Sequence, residues 1–333
     1  MAPRRRAPPP GRFVFLNEDA AKEGGEEEEE QGGAFELPCF GKATAIYLGL
    51  GSLGVAMPQA GIFARLTELS LFRVRLHGPC ELGDAISSPR CPCLQKLCIC
   101  FVWGLNNLAI HSGSLLRVEL AELDGLRQLT IVAPVLEDLE VSGCIIDDQN
   151  QQVASISAPQ LVFLDWSDPY DPSSVDLGKM ECVQRLSTSD FLVYGPNNLA
   201  VAHNRGCVRL LERFKVVEDL ILTLKYFGAQ SSCPSVCICC QQANWKTEEL
   251  SLNRLVEVEI TGLRGSEHEI AFLKRLLSWA ALLKRMTIKC DNSVAENMAN
   301  ELHQMLRSFS RTEVCMKFYT YQDMLKGLCK KSS

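Results

Sequence analysis

Between Leu115 and Val141 the sequence repeats one short apolar pattern three times. Apolar residues occupy the first, fourth and sixth of six positions, and the three copies read LLRVEL, LRQLTI and LEDLEV. The last two apolar positions alternate onto one face of a short strand, while the first packs from the preceding turn. Because one copy cannot bury its own apolar face, the pattern predicts a solenoid whose stacked copies share a continuous core.

Looser copies of the pattern extend over most of the chain. They begin at Leu66, Leu94, Leu115, Leu126, Leu136, Leu161, Val183, Val217, Leu255 and Leu283. Most spacings fit leucine-rich repeats of about 20 to 29 residues. The starts at Leu115, Leu126 and Leu136 are only 11 and 10 residues apart. Ten residues are too few for a strand, a helix and the segment that leads back to the next strand of the same sheet. One of these strands is therefore expected to lie off the main ladder, or to be joined to its neighbour by a turn without a helix.

The first 34 residues are predicted to form a disordered tail. Proline and arginine dominate its start, and the acidic run Glu26–Glu30 is flanked by glycine pairs. The apolar run Phe13–Leu16 is too short for the core of a signal peptide. Without a signal or a glycosylation sequon, a cytoplasmic or nuclear location with free thiols is expected. The net charge of -6 argues against nucleic acid as a partner.

Residues 43–64 carry no charge and are long enough to cross a bilayer. Their glycines, with Pro58, favour turns, so two buried strands and a loop are predicted instead of a membrane span. The same run contains G-x-G-x-x-G at Gly49–Gly54. A dinucleotide site needs a helix at the third glycine and an acid about 20 residues later, and neither Pro58 nor Glu68 fits. No cofactor is therefore expected.

Two groups of cysteines raise the question of a metal site. One group lies between Cys91 and Cys100. The other lies between Cys233 and Cys240, and the segment 231–244 around it is predicted to be a Cys-rich loop. Cys98 and Cys100 are expected to face the same side of a strand. The spacings are irregular and no histidine follows, so free thiols explain both groups and no metal-binding or catalytic residue is assigned. A thiol- or zinc-dependent enzyme, or a metal-binding protein using these cysteines, remains the alternative.

The C-terminal part follows a different pattern. We expect three strands, at Leu255–Ile260, Leu283–Ile288 and Val314–Tyr319. A helix is expected after Ser266, between the first two strands, and another after Ser293, between the last two. Ser266 with Glu269, and Ser293 with Glu296, have the spacing of capping boxes that open helices. The solenoid is therefore expected to continue into an α/β cap.

This C-terminal stretch resembles a known domain. The similarity is to the FBD domain of plant F-box/LRR proteins. It is carried by LVEVEI, the following Gly262 and GSE, the pairs EI, FL and LL, and LKRMTI. Upstream, GLRQLT leading into APVLEDL, and FELPCF at residue 35, resemble the repeat region of that family. The resemblance implies an α/β fold: a leucine-rich-repeat solenoid over 35–230, an FBD-like cap over 245–320 and a tail over 321–333.

The resemblance also implies a function. In that family an N-terminal F-box docks on a Skp-type adaptor of a cullin ubiquitin ligase, and the repeats select the substrate. The F-box pattern is not found in residues 1–41. The chain is therefore expected to be a non-enzymatic protein–protein interaction module that resembles the substrate-recognition part, binds an unknown protein partner, and does not bind the Skp-type adaptor.

The candidate binding face follows from the repeat. The third and fifth positions of each copy are expected to face outward. The predicted residues are Glu68, Lys96, Arg117, Glu119, Gln128, Asp138, Glu140, Phe163, Asp165, Arg185 and Asp219. Six acids and three bases surround Phe163, which suits a protein partner better than a phosphate backbone, where a basic stripe is needed.

Overall fold

A computed structural model describes most of the chain. The described residues are 11–17, 35–51, 53–77, 81–145, 152–194, 197–226, 250–310 and 312–320. The predicted Cys-rich loop at 231–244 and the tail at 321–333 lie outside them. Among the described helices, none is both long and apolar enough to cross a membrane. The chain divides into two compact units: unit 1 is Met1–Val162 with Pro172–Cys182, and unit 2 is Phe163–Asp171 with Val183–Ser333.

Strands outnumber helices among the described elements. In chain order they are β1 (Arg12–Leu16), β2 (Phe35–Glu36), β3 (Ala45–Gly49), β4 (Gly54–Ala56), β5 (Glu68–His77), α1 (Leu82–Ile86), β6 (Lys96–Trp103), β7 (Asn107–His111), β8 (Arg117–Ala121), β9 (Gln128–Val132), β10 (Asp138–Ser142), β11 (Val153–Ser157), β12 (Phe163–Trp166), β13 (Val175–Asp176), β14 (Arg185–Tyr194), α2 (Asn197–Arg213), β15 (Asp219–Tyr226), β16 (Glu257–Leu263), α3 (Glu267–Trp279), β17 (Arg285–Cys290), α4 (Glu296–Phe309) and β18 (Cys315–Tyr319).

Unit 1 contains two parallel sheets. In the main sheet the order is β1-β3-β5-β6-β8-β10, and β4, which pairs with β2, also pairs with β5. In the back sheet the order is β13-β11-β9-β7. From β6 to β11 successive strands alternate between the two sheets. One turn of the solenoid therefore holds two strands, and this explains the short spacings in the sequence.

The copy that starts at Leu126 forms β9 in the back sheet. The prediction that one of the three closely spaced strands lies off the main ladder is confirmed. A copy that the sequence reading missed, LNNLAI at Leu105, forms β7 in the same sheet. Its pattern is the same as that of the other copies, with asparagine at the second and third positions.

The core of unit 1 is made by alternate residues of both sheets. Leu139 of β10 and Leu129 of β9 are buried, whereas Asp138 and Gln128 beside them are not. The same alternation holds along β7 and β8 and over residues 96–99 of β6, so the core lies between the sheets. Burying one such side chain contributes about 1.5 to 3 kcal/mol. The face assignment made from the repeat is therefore correct at these positions.

Part of the predicted N-terminal tail is a strand. The sequence predicts disorder over residues 1–34, but Arg12–Leu16 forms β1, which pairs in parallel with β3. The strand is exposed throughout, so backbone hydrogen bonds hold it: Asn17 N–H donates to Gly49 and Thr44 N–H to Gly11, both at 2.7 Å. Phe13 also stacks on Phe40, with ring centroids 4.0 Å apart. The rest of the predicted tail lies outside the described residues.

The uncharged run at 43–64 forms two short strands, β3 and β4, as predicted. Gly54, the third glycine of the G-x-G-x-x-G pattern, begins a strand and not a helix. The helix N-terminus that a pyrophosphate would need is therefore missing at this position.

In its described residues, unit 2 combines a parallel sheet with three helices. The strand order is β12-β14-β15-β16-β17-β18, and each of these pairs is parallel. The helix α3 begins at the predicted capping box, because Glu269 N–H donates to Ser266 Oγ and Ser266 N–H donates to the Glu269 carboxylate. Phe272 of α3 is buried against Phe191 of β14, with ring centroids 4.1 Å apart. The predicted order of strands and helices after residue 255 is confirmed.

The start of α4 differs from the prediction. Its N-cap is Ala295, without a side-chain hydrogen bond, and the Ser293 hydroxyl instead donates to Asp291 at 2.6 Å. Ser293 lies in a turn in which Val294 N–H donates to the Asp291 carbonyl. The helix therefore begins two residues later than it would with Ser293 as its N-cap. Its buried face carries Ala299, Leu302 and Leu306, while Met298 and Met305 are exposed.

Candidate protein-binding face

The repeat places its outward positions as the sequence predicts. In every copy of the pattern the third residue is the first residue of a strand. None of the eleven candidate residues is buried. They do not form a single group, however, because they are divided between the two units and the two sheets.

Six candidates lie together on the main sheet of unit 1. Glu68, Lys96, Arg117 and Asp138 are register partners across β5, β6, β8 and β10. The next outward row carries Ser70, Cys98, Glu119 and Glu140 in the same order. We call these eight residues the open face of unit 1.

One ion pair on the open face is well defined. Arg117 donates from Nε and Nη2 to Asp138 Oδ2 at 2.8 and 2.6 Å. This hydrogen bond and the charge of Asp138 raise the pKa of the Arg117 guanidinium. Because the Arg117 side chain is 56% exposed, the pair contributes at most about 1 kcal/mol to stability. Its main consequence is that Asp138 neutralises one of the two bases on this face.

Four candidates lie in unit 2. Phe163, Arg185 and Asp219 are register partners on β12, β14 and β15, and Asp165 lies two residues after Phe163. The Arg185 guanidinium lies over the Phe163 ring at 5.7 Å from its centroid and 3.6 Å from Asp219. Arg185 therefore already lies against the Phe163 ring, which makes Phe163 a weaker anchor than the sequence indicated.

Gln128 does not belong to either group. It begins β9, in the back sheet of unit 1, where its register partners are Asn107 and Val153. The six-residue pattern is the same in both sheets, so the sequence could not separate a back strand from a main strand by the pattern alone. Gln128 is therefore removed from the candidate face.

An exposed aromatic cluster, which the sequence reading missed, lies at the end of the open face. Phe72 of β5 and Phe101 of β6 are 41% and 38% exposed, and their rings meet edge to face at 5.6 Å between centroids. The Arg73 guanidinium lies 5.6 Å from the Phe72 centroid and 5.9 Å from that of Phe101. We call Phe72, Arg73 and Phe101 the aromatic cluster. Trp103, 37% exposed, follows two residues after Phe101.

The backbone beneath the aromatic cluster is strained. Arg73, Phe101, Glu122 and Gly143 have φ values of 48°, 56°, 52° and 63°. Each follows a residue of the row Phe72, Cys100, Ala121 and Ser142, so the left-handed positions align across four strands. A left-handed conformation costs a non-glycine residue roughly 1 to 2 kcal/mol. The bend turns Phe101 outward one position earlier than alternation would, and this is why the hexapeptide pattern did not reveal the cluster.

A pair of thiols lies at the open face: Cys98 belongs to it, and Cys100 follows two residues later on β6. Cys98 and Cys100 project to the same side of β6, as predicted, with their sulfurs 3.5 Å apart. Cys100 Sγ also lies 3.8 Å from Glu119 Oε1. The hydrogen bond with Cys100 lowers the pKa of Cys98, while the same bond, together with burial, raises the pKa of Cys100. Cys98 is therefore the more easily deprotonated of the two thiols.

Comparison with known proteins identifies the repeats. Residues 35–186 match the family described as FBD-associated F-box protein At5g56370, LRR repeats. These repeats are therefore similar to the leucine-rich repeats of FBD-associated F-box proteins. The Arabidopsis thaliana Putative F-box/FBD/LRR-repeat protein At4g03220 is 31% identical over 152 residues, which are 44% of this chain and 30% of that protein. The matched segment thus spans under a third of the relative's length. No solved structure matches the chain.

The matched repeats extend from the start of β2 into β14. They include the whole open face and the aromatic cluster, so the resemblance seen in the sequence is confirmed for this region. The cap at 245–320 follows the matched segment. Its likeness to an FBD domain remains a prediction that rests on the sequence resemblance.

Proposed function

We propose that this chain is a non-enzymatic protein-binding module that resembles the substrate-recognition part of an F-box ubiquitin-ligase adaptor. The open face of unit 1, with its aromatic cluster, would be the binding surface. The observation that carries the proposal is the aromatic cluster itself. Exposed aromatic rings stacked with arginine are typical of the centres of protein interfaces, and strained backbone is commonly retained where it serves a function.

The charges of the open face indicate the chemistry of the partner. Four acids, Glu68, Glu119, Asp138 and Glu140, lie with two bases, Lys96 and Arg117. Asp138 already engages Arg117. We therefore propose a partner segment that carries basic side chains and one apolar anchor, which would contact Phe72 and Phe101. Such a complex should associate more slowly as the salt concentration rises.

The test compares two matched double variants of the full chain. Proximity labelling in plant cells is performed with Phe72→Ser plus Phe101→Ser, and with Val132→Ser plus Val153→Ser. The control pair also exposes two apolar side chains, at 39% and 45%, but on the back sheet. We expect the first variant to lose a subset of labelled proteins that the second retains. Identical lists for both variants would show that the aromatic cluster does not bind the partner.

The sequence also predicts that the chain does not bind the Skp-type adaptor. Co-expression of the 333-residue chain with that adaptor, followed by purification, tests this directly. Recovery of both proteins in near-equal amounts would contradict it without affecting the proposal for the open face.

The enzyme alternative would depend on the thiol pair. Among the described residues, the one group of possible metal ligands is Cys98, Cys100 and Glu119, and it contains no histidine. A hydrolytic zinc centre commonly uses histidine ligands and a nearby base. Metal binding without catalysis is therefore the reading of this group that the geometry favours.

A further inference from the structure

Two residues of the open face, together with the neighbouring Cys100, suit one soft divalent cation. The sulfurs of Cys98 and Cys100 and a carboxylate oxygen of Glu119 all lie within 4.8 Å of one another. Zinc bonds of about 2.3 Å to sulfur, at tetrahedral angles, place two sulfurs about 3.8 Å apart and a carboxylate oxygen about 3.5 Å from each. The observed sulfur–sulfur distance of 3.5 Å and sulfur–oxygen distance of 3.8 Å are close to these values.

The backbone fixes the three ligands in advance. Cys98 and Cys100 belong to β6, which has β5 and β8 as paired neighbours, so neither residue lies on a sheet edge. Glu119 of β8 is the register partner of Cys98. Strand pairing therefore keeps all three on one side of the main sheet, and an ion could bind with side-chain rotation alone.

The ligand types decide between metals. Magnesium and calcium take oxygen ligands, so two sulfurs disfavour them. Iron–sulfur clusters typically require four cysteines, and copper(I) prefers thiolate or thioether without carboxylate. Two thiolates and one carboxylate suit zinc. These three groups would repel one another when all are deprotonated, and a divalent ion relieves that repulsion.

We propose that Cys98, Cys100 and Glu119 bind one zinc ion on the open face of unit 1, with the fourth coordination position open at the protein surface. The sequence reading assigned free thiols here because the cysteine spacing matches no zinc motif. The third ligand comes from the neighbouring strand, 19 residues further along the chain, and only the register brings it close.

Cobalt(II) titration of the full chain under reducing conditions tests the proposal. Tetrahedral thiolate coordination gives intense sulfur-to-cobalt absorption, which zinc abolishes when it displaces cobalt. In the unchanged chain we expect this absorption to correspond to about one cobalt ion per chain. Cys98→Ser and Cys100→Ser should each abolish it. Glu119→Gln, a half-buried and conservative change, should weaken cobalt binding by at least about tenfold.

Two controls separate this site from other cysteines. Cys93→Ser removes an exposed thiol from the same segment and should leave the signal unchanged. A chain with Cys233, Cys237, Cys239 and Cys240 all changed to serine should keep the equivalent assigned to the open face. Circular dichroism of each variant confirms folding, and Glu119→Gln decides the matter if a serine variant does not fold. An absent thiolate signal, or one that survives Cys98→Ser and Cys100→Ser, would overturn the proposal.

Discussion

At the level of single residues, backbone conformation explains a glycine that the repeat pattern ignores. Gly143 has a φ of 63°, in line with the strained Arg73, Phe101 and Glu122 on the neighbouring strands. We expect Gly143→Ala to lower the free energy of unfolding by about 1 to 2 kcal/mol, because alanine disfavours this conformation. An added Cβ would also meet the Glu122 carboxyl carbon at 2.7 Å.

The matched control is Gly113→Ala. No atom lies within 4 Å of a Cβ at Gly113, and its φ is not left-handed. This substitution should change the free energy of unfolding by no more than about 0.5 kcal/mol. Urea denaturation of both variants measures the free energy of unfolding. Equal losses of this free energy would show that the left-handed backbone at position 143 does not require glycine.

Cys98 and Cys91 are expected to react with alkylating reagents at different rates. Burial raises the pKa of Cys91 to about 12, whereas the hydrogen bond with Cys100 lowers the pKa of Cys98. At pH 8 we expect iodoacetamide to modify Cys98 well before Cys91, as measured by mass spectrometry of tryptic peptides. In urea the two rates should converge. Faster labelling of Cys91 in the folded chain would contradict the assignment.

The raised pKa of Cys91 also affects stability. Its neutral form is favoured in the folded state, so its contribution is complete below the ordinary pKa of 9.0 and is lost as pH rises towards about 12. The folded chain should therefore become less stable at alkaline pH.

At the level of elements, the two C-terminal helices start in different ways. Ser266 and Glu269 form a reciprocal capping box at α3, and Glu269 is fully buried. Ser293 does not cap α4. We expect Ser266→Ala to cost about 0.5 to 2 kcal/mol of stability, and Ser293→Ala to cost clearly less, when both are measured by thermal denaturation. Similar losses would mean that Ser293 caps its helix in solution.

This contrast shows how far the sequence can be read. Apolar period and capping spacing predicted the strands after Leu255 and the start of α3, because those signals are local. At Ser293 the spacing was the same, but Asp291 competes for the hydroxyl. Likewise, Gln128 and Asp138 occupy the same position of their copies, and only strand pairing places them in different sheets. Local pattern predicts the element; its neighbours decide what it contacts.

At the level of the whole molecule, acids and bases are interleaved on the described strands of both units. In unit 1, Arg117 pairs with Asp138 on the open face. In unit 2, Arg185 pairs with Asp219, Arg285 with Glu257 and Lys289 with Glu259. Neither sheet therefore presents the continuous basic stripe that binding to a phosphate backbone requires.

The prediction that follows is that the chain does not bind nucleic acid, in keeping with its net charge of -6. Electrophoretic mobility shift with a labelled duplex DNA, and separately with a single-stranded RNA, should show no complex at about 10 μM chain in physiological salt. A protein that neutralises several phosphates binds non-specifically at about this concentration. A shifted band whose affinity falls steeply with salt concentration would contradict the prediction, since that dependence reports displaced counterions. A band without salt dependence would instead reflect contacts to bases, for which stacking on the aromatic cluster is the first explanation to test with Phe72→Ser plus Phe101→Ser.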